Sequence, residues 1–387
     1  MIPYGKQDIS RKDIEEVISA LKSDFLTQGP LIPKFEKSIA KFTNSKYCAA
    51  VNSATSALHI ACLSLGVGKG DLVWTSPITY VASANAALYC GAEVDFVDID
   101  PNNYNMCPVK LEEKLLIAKR KNCLPKVIMP VHLAGQSCNM QKISKIAAKY
   151  NIKIIEDASH AIGGFYKNHP IGSCKYSDIA VFSFHPVKII TTGEGGAITT
   201  NNREIFKKIE MLRTHGVTRN KSLMKNKPDG DWYYEQLILG FNYRITDIQA
   251  ALGLSQIKRL KEFIQKRNHI AKNYNKLLKN KKLILPAISA DCLSAFHLYV
   301  IRIKSNNKDI RKKIFDFLRL EGIGVNIHYM PVYKQPFYED KFASNYSLKN
   351  AENYYSSAIS IPMYPKLTQL EQKKVANKIL EAVNLYC

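Results

Sequence analysis

The stretch Val181-Phe182-Ser183-Phe184-His185-Pro186-Val187-Lys188, followed after two isoleucines by Thr191-Thr192-Gly193-Glu194-Gly195-Gly196, decides how this chain reads. Apolar and aromatic residues precede the lysine, and a glycine-rich turn follows it. An ammonium moved away from water loses hydration, so its pKa falls and the neutral amine becomes available. A neutral amine attacks aldehydes and ketones, which is what a Schiff-base lysine requires. Ser183, five residues earlier, offers a hydroxyl to a phosphate. A lone lysine after a strand is more commonly a surface residue, so the weight falls on what stands elsewhere.

Upstream, Ile152-Lys153-Ile154-Ile155-Glu156-Asp157-Ala158-Ser159-His160 reads as a buried strand with Asp157 at its carboxyl end. Open α/β sheets place ligand-binding residues there. A carboxylate beside a pyridine nitrogen keeps that nitrogen protonated, and enzymes that use pyridoxal phosphate pair such an Asp with a Schiff-base Lys. An ordinary helix N-cap would explain the same aspartate. In Cys48-Ala49-Ala50-Val51-Asn52-Ser53-Ala54-Thr55-Ser56-Ala57-Leu58-His59 a strand runs through a turn of small residues into a helix. The N–H groups of that helix start and the hydroxyls of Ser53 and Thr55 suit a phosphate, although a plain N-cap has the same pattern. Tyr80, in Thr75-Ser76-Pro77-Ile78-Thr79-Tyr80-Val81-Ala82-Ser83-Ala84-Asn85, is placed either to stack on a flat ring or to pack in the core. Downstream, Gly240-Phe241-Asn242-Tyr243-Arg244-Ile245-Thr246-Asp247 opens a long helix with polar residues bunched at its start.

Taken together, the small-residue phosphate turn, the aromatic, the strand-end Asp, Ser-x-x-x-x-Lys and Asn-Tyr-Arg follow one another in the order that is similar to the sugar aminotransferases of the DegT/DnrJ/EryC1/StrS family. Leu26-Thr27-Gln28-Gly29-Pro30 and Gly324-Val325-Asn326-Ile327-His328-Tyr329-Met330-Pro331-Val332-Tyr333 also resemble that family, so the resemblance spans nearly the whole chain. It implies the type I aminotransferase fold, an α/β class with a large domain built on a mostly parallel seven-stranded sheet and a smaller C-terminal α+β domain. The boundary is expected at residues 1–248 and 249–387. It implies pyridoxal 5′-phosphate as cofactor, with Lys188 and Asp157 catalytic. Ser53, Ala54, Thr55 and Ser183 would hold the phosphate, Tyr80 would stack on the ring, and His160 would reach the ring hydroxyl. Asn242 would complete the phosphate shell from a second subunit, which makes the active unit a homodimer with shared sites. Substrate contacts are expected from Tyr4, Asp24, Phe25, Leu26, Thr27, Asn326, Ile327, His328, Tyr329 and Tyr338, with His185 and Arg244 as further site residues of undefined role. Within the family, the wording of Asn52–Leu58, Asp157–Ala161, Ser183–Lys188 and Ile327–Pro331 is most similar to members on the route to pseudaminic acid. Those move an amino group from L-glutamate to C4 of UDP-4-keto-6-deoxy-N-acetyl-β-L-altrosamine. The rivals are amination of another nucleotide-linked keto sugar, dehydration, which replaces the lysine with histidine in relatives, and a non-catalytic regulator that binds the cofactor.

The chain has 387 residues, enough to bury a large core across two domains. A hydrophobic fraction of 46% and a charged fraction of 23% are those of a globular protein. No apolar run has the length of a membrane span, and the first residues carry no signal core, so a cytoplasmic protein is expected. Nine scattered cysteines include no C-x-x-C pair, which argues against zinc and for free thiols. The net charge of +22 raises nucleic-acid binding as a reading. The basic residues are spread along the chain without a nucleic-acid motif, so no nucleic-acid partner, no membrane partner and no metal are expected.

Strand patterns at 48–52, 72–75, 93–98, 127–132, 152–156, 179–184 and 197–200 alternate with helical patterns at 55–65, 109–118 and 140–150. Such alternation predicts a parallel sheet covered by helices. The last two strands are joined too closely for a crossover helix, so that pair is expected to be antiparallel. Residues 8–22 read as a helix, 217–236 as an exposed loop and 246–278 as one long helix. In the smaller domain, strands are expected at 296–303 and 324–329 and helices at 307–320 and 367–385.

Overall fold

Seven strands carry the large domain: β1 (Tyr47–Val51), β2 (Leu72–Thr75), β3 (Glu93–Phe96), β4 (Val127–Met129), β5 (Lys153–Asp157), β6 (Ile179–Ser183) and β7 (Gly196–Thr200). In this computed structural model, which describes residues 1–305, 309–342 and 346–387, they form one sheet in the order β1-β7-β6-β5-β4-β2-β3. β7 alone runs against its neighbours; the pairs among β2 to β6 are parallel. This is the type I aminotransferase architecture expected from the sequence. The glycine-rich link between β6 and β7 carries no helix, whereas a parallel return is usually made through a crossover helix, so the reversal follows. β4 to β7 are buried nearly throughout, as a sheet covered on both faces demands.

Helices cover both faces. α1 (Arg11–Leu21) starts later than expected because Ser10 and Asp13 form a capping box there, which leaves Asp8 outside. The chain continues through α2 (Leu31–Thr43), α3 (Ala54–Ser64), α4 (Ala82–Tyr89), α5 (Pro108–Arg120), α6 (Met140–Ala148) and α7 (Arg203–Arg213). The single helix expected at 246–278 is two, α8 (Asp247–Lys258) and α9 (Leu260–Leu277). Arg259 leaves the helix between them and ties down the N-terminal segment through Asp8 and Asp13, at 3.1 and 2.7 Å. No Gly or Pro marks this break, so the pattern of apolar residues runs through it. α8 straddles the expected domain boundary.

The smaller domain has a three-stranded antiparallel sheet of β8 (Leu283–Ile284), β9 (Tyr299–Ile303) and β10 (Ala358–Ile361), packed with α10 (Asp309–Leu320), α11 (Lys349–Tyr355) and α12 (Gln369–Tyr386). The expected strand at 324–329 is not one. Asn326 makes a single bridge to Ser360, and the His328 carbonyl is taken instead by the Tyr354 hydroxyl at 2.7 Å. The segment is used to line a cleft between the two domains. The expected helix at 307–320 begins, among the described residues, at Asp309. Ile2 bridges to Ile323, so the first residues join this domain's core. All nine cysteines are free thiols. Among the described residues no helix is long and apolar enough to cross a membrane, and no group of side chains has the makings of a metal site.

Candidate active site

The carboxyl ends of β5 and β6, the start of α3 and the segment 326–330 surround a cavity of about 680 Å³. At its floor lies Asp157, which ends β5 and is buried. Its Oδ2 accepts from the Ser83 hydroxyl at 2.6 Å, and its Oδ1 accepts from the hydroxyl and the N–H of Ser159 at 2.6 and 3.1 Å. Thr79 in turn touches the Ser83 hydroxyl at 2.7 Å. Acceptance from both sides fixes the plane of an ionised carboxylate. Neither Ser83 nor Ser159 is distinguished by its own sequence pattern. Both sit within two residues of a helix start or strand end, where short hydroxyl side chains turn back on their neighbours.

Lys188 stands in the cleft wall, half-buried between Val187 and buried Ile189. Among the described residues its Nζ has no hydrogen-bond or ion-pair partner. Burial lowers its ammonium to about 8, and the negative charge of Asp157 offsets part of that fall. Four histidines line the cleft, of which His185 is exposed and the other three are buried. Burial, with the charge of Lys188 added, lowers His328 to about 4 and holds His160 and His297 well below the ordinary histidine range. The rings of His160 and His297 lie 4.3 Å apart. His160 accepts the Ala134 N–H at Nδ1, 3.3 Å away, so its Nε2 carries the proton toward the Tyr329 hydroxyl, also at 3.3 Å. His297, buried with an unpartnered Nδ1, was not anticipated from the sequence.

The phosphate side is built from backbone. Ser53 caps α3 by accepting the Ser56 N–H at 3.1 Å, while the N–H groups of Ala54 and Thr55 have no acceptor among the described residues. Two free amides at the start of an 11-residue helix form an anion seat. Gly196 opens β7 directly behind it: a Cβ there would stand 2.7 Å from Ser53 and Ala54 backbone atoms. The turn can therefore approach the sheet only because residue 196 has no side chain. Ser183 faces the same space from the end of β6.

Of the residues expected at the site, Tyr4, Ser53, Ala54, Thr55, Tyr80, Asp157, His160, Ser183, His185, Lys188 and Asn326 to Tyr329 line this one cleft. Tyr80 is 63% exposed on its wall, so it offers a free face rather than core packing. Asn242, Asp24, Phe25, Leu26 and Thr27 do not line the cleft of their own chain. Asn242 is exposed, and the loop carrying Phe25 to Thr27 is pinned beside it: Thr27 bridges to Thr246, and Asp247 accepts the N–H groups of Gly29 and Leu31 at 2.7 and 2.9 Å. Tyr338 is 1% exposed and donates to Asn85. It is a core residue packed on Phe96, which corrects its assignment as a substrate contact in this chain. Its position beyond the cleft-lining segment gave no sign of that burial.

A lone lysine with a depressed pKa, a fixed carboxylate and an anion seat on one cleft fit a phosphorylated pyridine aldehyde. The model of the DegT/DnrJ/EryC1/StrS aminotransferase family matches residues 7–380. The chain belongs to that family. It is a pyridoxal-phosphate-dependent sugar aminotransferase by membership. It is 39% identical over 393 residues, the full length of both chains, to the UDP-4-amino-4,6-dideoxy-N-acetyl-beta-L-altrosamine transaminase of Campylobacter jejuni subsp. jejuni serotype O:23/36. The solved structure of Helicobacter pylori PseC, an aminotransferase of pseudaminic acid biosynthesis, superposes with a TM-score of 0.91 at 31% identity and covers 100% of both chains. The PMP-form of the sugar aminotransferase Spr1654 from Streptococcus pneumoniae also gives 0.91, at 28% identity and full coverage of both.

Proposed function

We propose that the protein transfers the amino group of L-glutamate to C4 of UDP-4-keto-6-deoxy-N-acetyl-β-L-altrosamine, a step toward pseudaminic acid, as a cytoplasmic homodimer with shared sites. The observation that supports this reading is the 39% identity, over the full length of both chains, to the altrosamine transaminase of Campylobacter jejuni, together with the segment Asn326–Tyr329 lining the same cleft as Lys188. Tyr4 joins it, with its ring 5.5 Å from that of His328.

When bound, pyridoxal phosphate supplies an aldehyde that takes up nitrogen and a ring that accepts the electron pair left by a broken C–H bond. The free amides of Ala54 and Thr55 and the hydroxyls of Ser53 and Ser183 would hold its phosphate. Asp157 would keep a proton on the ring nitrogen, and its own three hydrogen bonds prevent it from turning away. Lys188 Nζ removes the proton from the α-carbon of the donor and delivers one to C4 of the sugar. An amine near 8 is matched to both tasks, since it gains and releases a proton close to neutral pH. His160, whose Nε2–H faces the Tyr329 hydroxyl at 3.3 Å, would donate to the ring hydroxyl.

The outward side of the molecule supports a shared site. Asn242 is exposed and lines no part of its own cleft, Leu239 three residues before it is 79% exposed, and Phe25 and Leu26 stand exposed on the loop held to the start of α8. Exposed apolar side chains of this kind suit a second copy of the chain.

The test is a two-step absorbance experiment followed by product analysis. Glutamate should bleach the yellow form of the protein, and the altrosamine-configured UDP-4-keto sugar should restore it with release of a 4-amino sugar. Restoration only by a different nucleotide-linked keto sugar would move the specificity and keep the amino transfer. No bleaching by glutamate would remove glutamate as the donor.

A further inference from the structure

Glutamate brings two carboxylates into the cleft, and the one on its α-carbon must lie next to the reacting bond. Lys188 is the only lysine or arginine among the described residues that line this cavity. It is also the reacting amine, so it cannot serve as a fixed counter-charge. His160, His297 and His328 are held neutral by burial beside it. One chain alone therefore provides no permanent cation within reach of the α-carbon.

Arg244 supplies one from outside. Its backbone bridges to Val51, at the end of β1, and the Asn52 N–H donates to the Tyr243 carbonyl at 2.9 Å. This makes residues 241–244 an extended segment in which side chains alternate between faces. Phe241 and Tyr243 point inward: their rings stack at 4.9 Å, and the Tyr243 hydroxyl contacts His59 Nδ1 at 3.2 Å. Exposed Asn242 and half-buried Arg244 therefore share the opposite face, about 7 Å apart along the strand direction. Among the described residues the Arg244 guanidinium has no hydrogen bond, ion pair or ring contact. A guanidinium left free beside a residue aimed at the neighbouring protomer is well made for a planar carboxylate, which it binds through two parallel hydrogen bonds.

We infer that Arg244 binds the α-carboxylate of the amino donor in the cleft of the neighbouring protomer, next to the phosphate contact assigned to Asn242. The inference rests on the shared-site reading, and the experiment separates the two. Differently tagged chains are co-expressed and the mixed dimer is purified. In a mixed dimer of Lys188→Ala and Arg244→Gln chains, one cleft carries both defects and the other carries neither. At glutamate concentrations well below saturation, the mixed dimer should regain about half the wild-type rate, since one cleft of two is intact in a symmetric dimer. Each parent alone should be far weaker. A control pairs Lys188→Ala with Asn242→Ala. Recovery in the control without recovery in the Arg244→Gln dimer would overturn the role of Arg244 and leave the shared site standing. Recovery in neither would overturn both.

A binding measurement complements the rates. Glutarate has the carboxylates of the donor without its amine. Its affinity for the cofactor-loaded protein, read by calorimetry, should fall about 10- to 100-fold in Arg244→Gln. Arg244→Lys should recover part of the loss, while cofactor affinity and dimer size stay as in the parent. Unchanged glutarate affinity in Arg244→Gln would overturn the inference.

Discussion

The floor of the cleft and the outward edge at Asn242 present opposite designs. On the floor, every group is positioned by its own chain: Asp157 by three hydrogen bonds, the Ser53–Thr55 turn by its close approach to Gly196, and Lys188 by the burial around it. At the edge, Phe25, Leu26 and Leu239 stand exposed, and the Arg244 guanidinium has no partner among the described residues. The floor is complete in one chain and the edge is not. The difference teaches that the groups on the floor are preorganised by the sheet, while the exposed edge is where the proposed second subunit would add its part.

Predictions about the floor should be the largest. Lys188→Ala should lower turnover at least a thousandfold, because it removes both the nucleophile and the acid–base group. The melting temperature of the cofactor-free protein should change little. Substantial activity in this variant would break the assignment of the floor. Asp157→Asn should cost roughly a hundredfold or more in rate, since the amide no longer holds a proton on the ring nitrogen. Cofactor absorbance should shift with it, and a near-normal rate would free Asp157 from this role. Gly196→Ala forces a methyl to within 2.7 Å of the Ser53–Ala54 backbone. It should destabilise the protein by about 1–3 kcal/mol in denaturant titration, as overpacking does, and weaken cofactor retention.

The edge should respond differently. Asn242→Ala should weaken cofactor affinity about tenfold or somewhat more, the worth of a hydrogen bond to a charged phosphate. The stability of the isolated cofactor-free chain should be unaffected. Loss of stability instead would make Asn242 part of the fold and erase the contrast. The smallest effect sharpens the floor: capture of pyridoxal phosphate by the cofactor-free protein requires neutral Lys188. Its rate should therefore rise as pH passes about 8, rather than near the 10.5 of an ordinary lysine. The protonated form dominates below that point, so capture slows there.

How much of this was legible in the sequence follows the same division. The seven strands and the antiparallel pairing of the last two follow from the alternation of strand and helix patterns and from a link without a helix; the meeting of Asp157, Ser183 and Lys188 in one cleft was implied by the family resemblance. The break at Arg259 was not legible, because an arginine that leaves a helix to bind Asp8 and Asp13 carries no local breaker signal. The segment 324–329 has strand composition but gives its backbone to a side chain of α11. Tyr338 resembles its neighbours in sequence, yet its ring is buried against Phe96. Ser83 and His297 act through contacts between distant segments, which no periodicity reports, and Ser159 acts by turning back on Asp157 two residues away. The outward residues Asn242 and Phe25–Thr27 were reached through family resemblance alone, since exposed residues leave no pattern of burial within one chain.

The most direct measurement is to load the protein with pyridoxal phosphate, reduce it with borohydride, and map the modified residue by peptide mass spectrometry. The account predicts the cofactor's mass on the peptide carrying Lys188, and none attached in Lys188→Ala. Attachment at another lysine, or no covalent attachment at all, would contradict it.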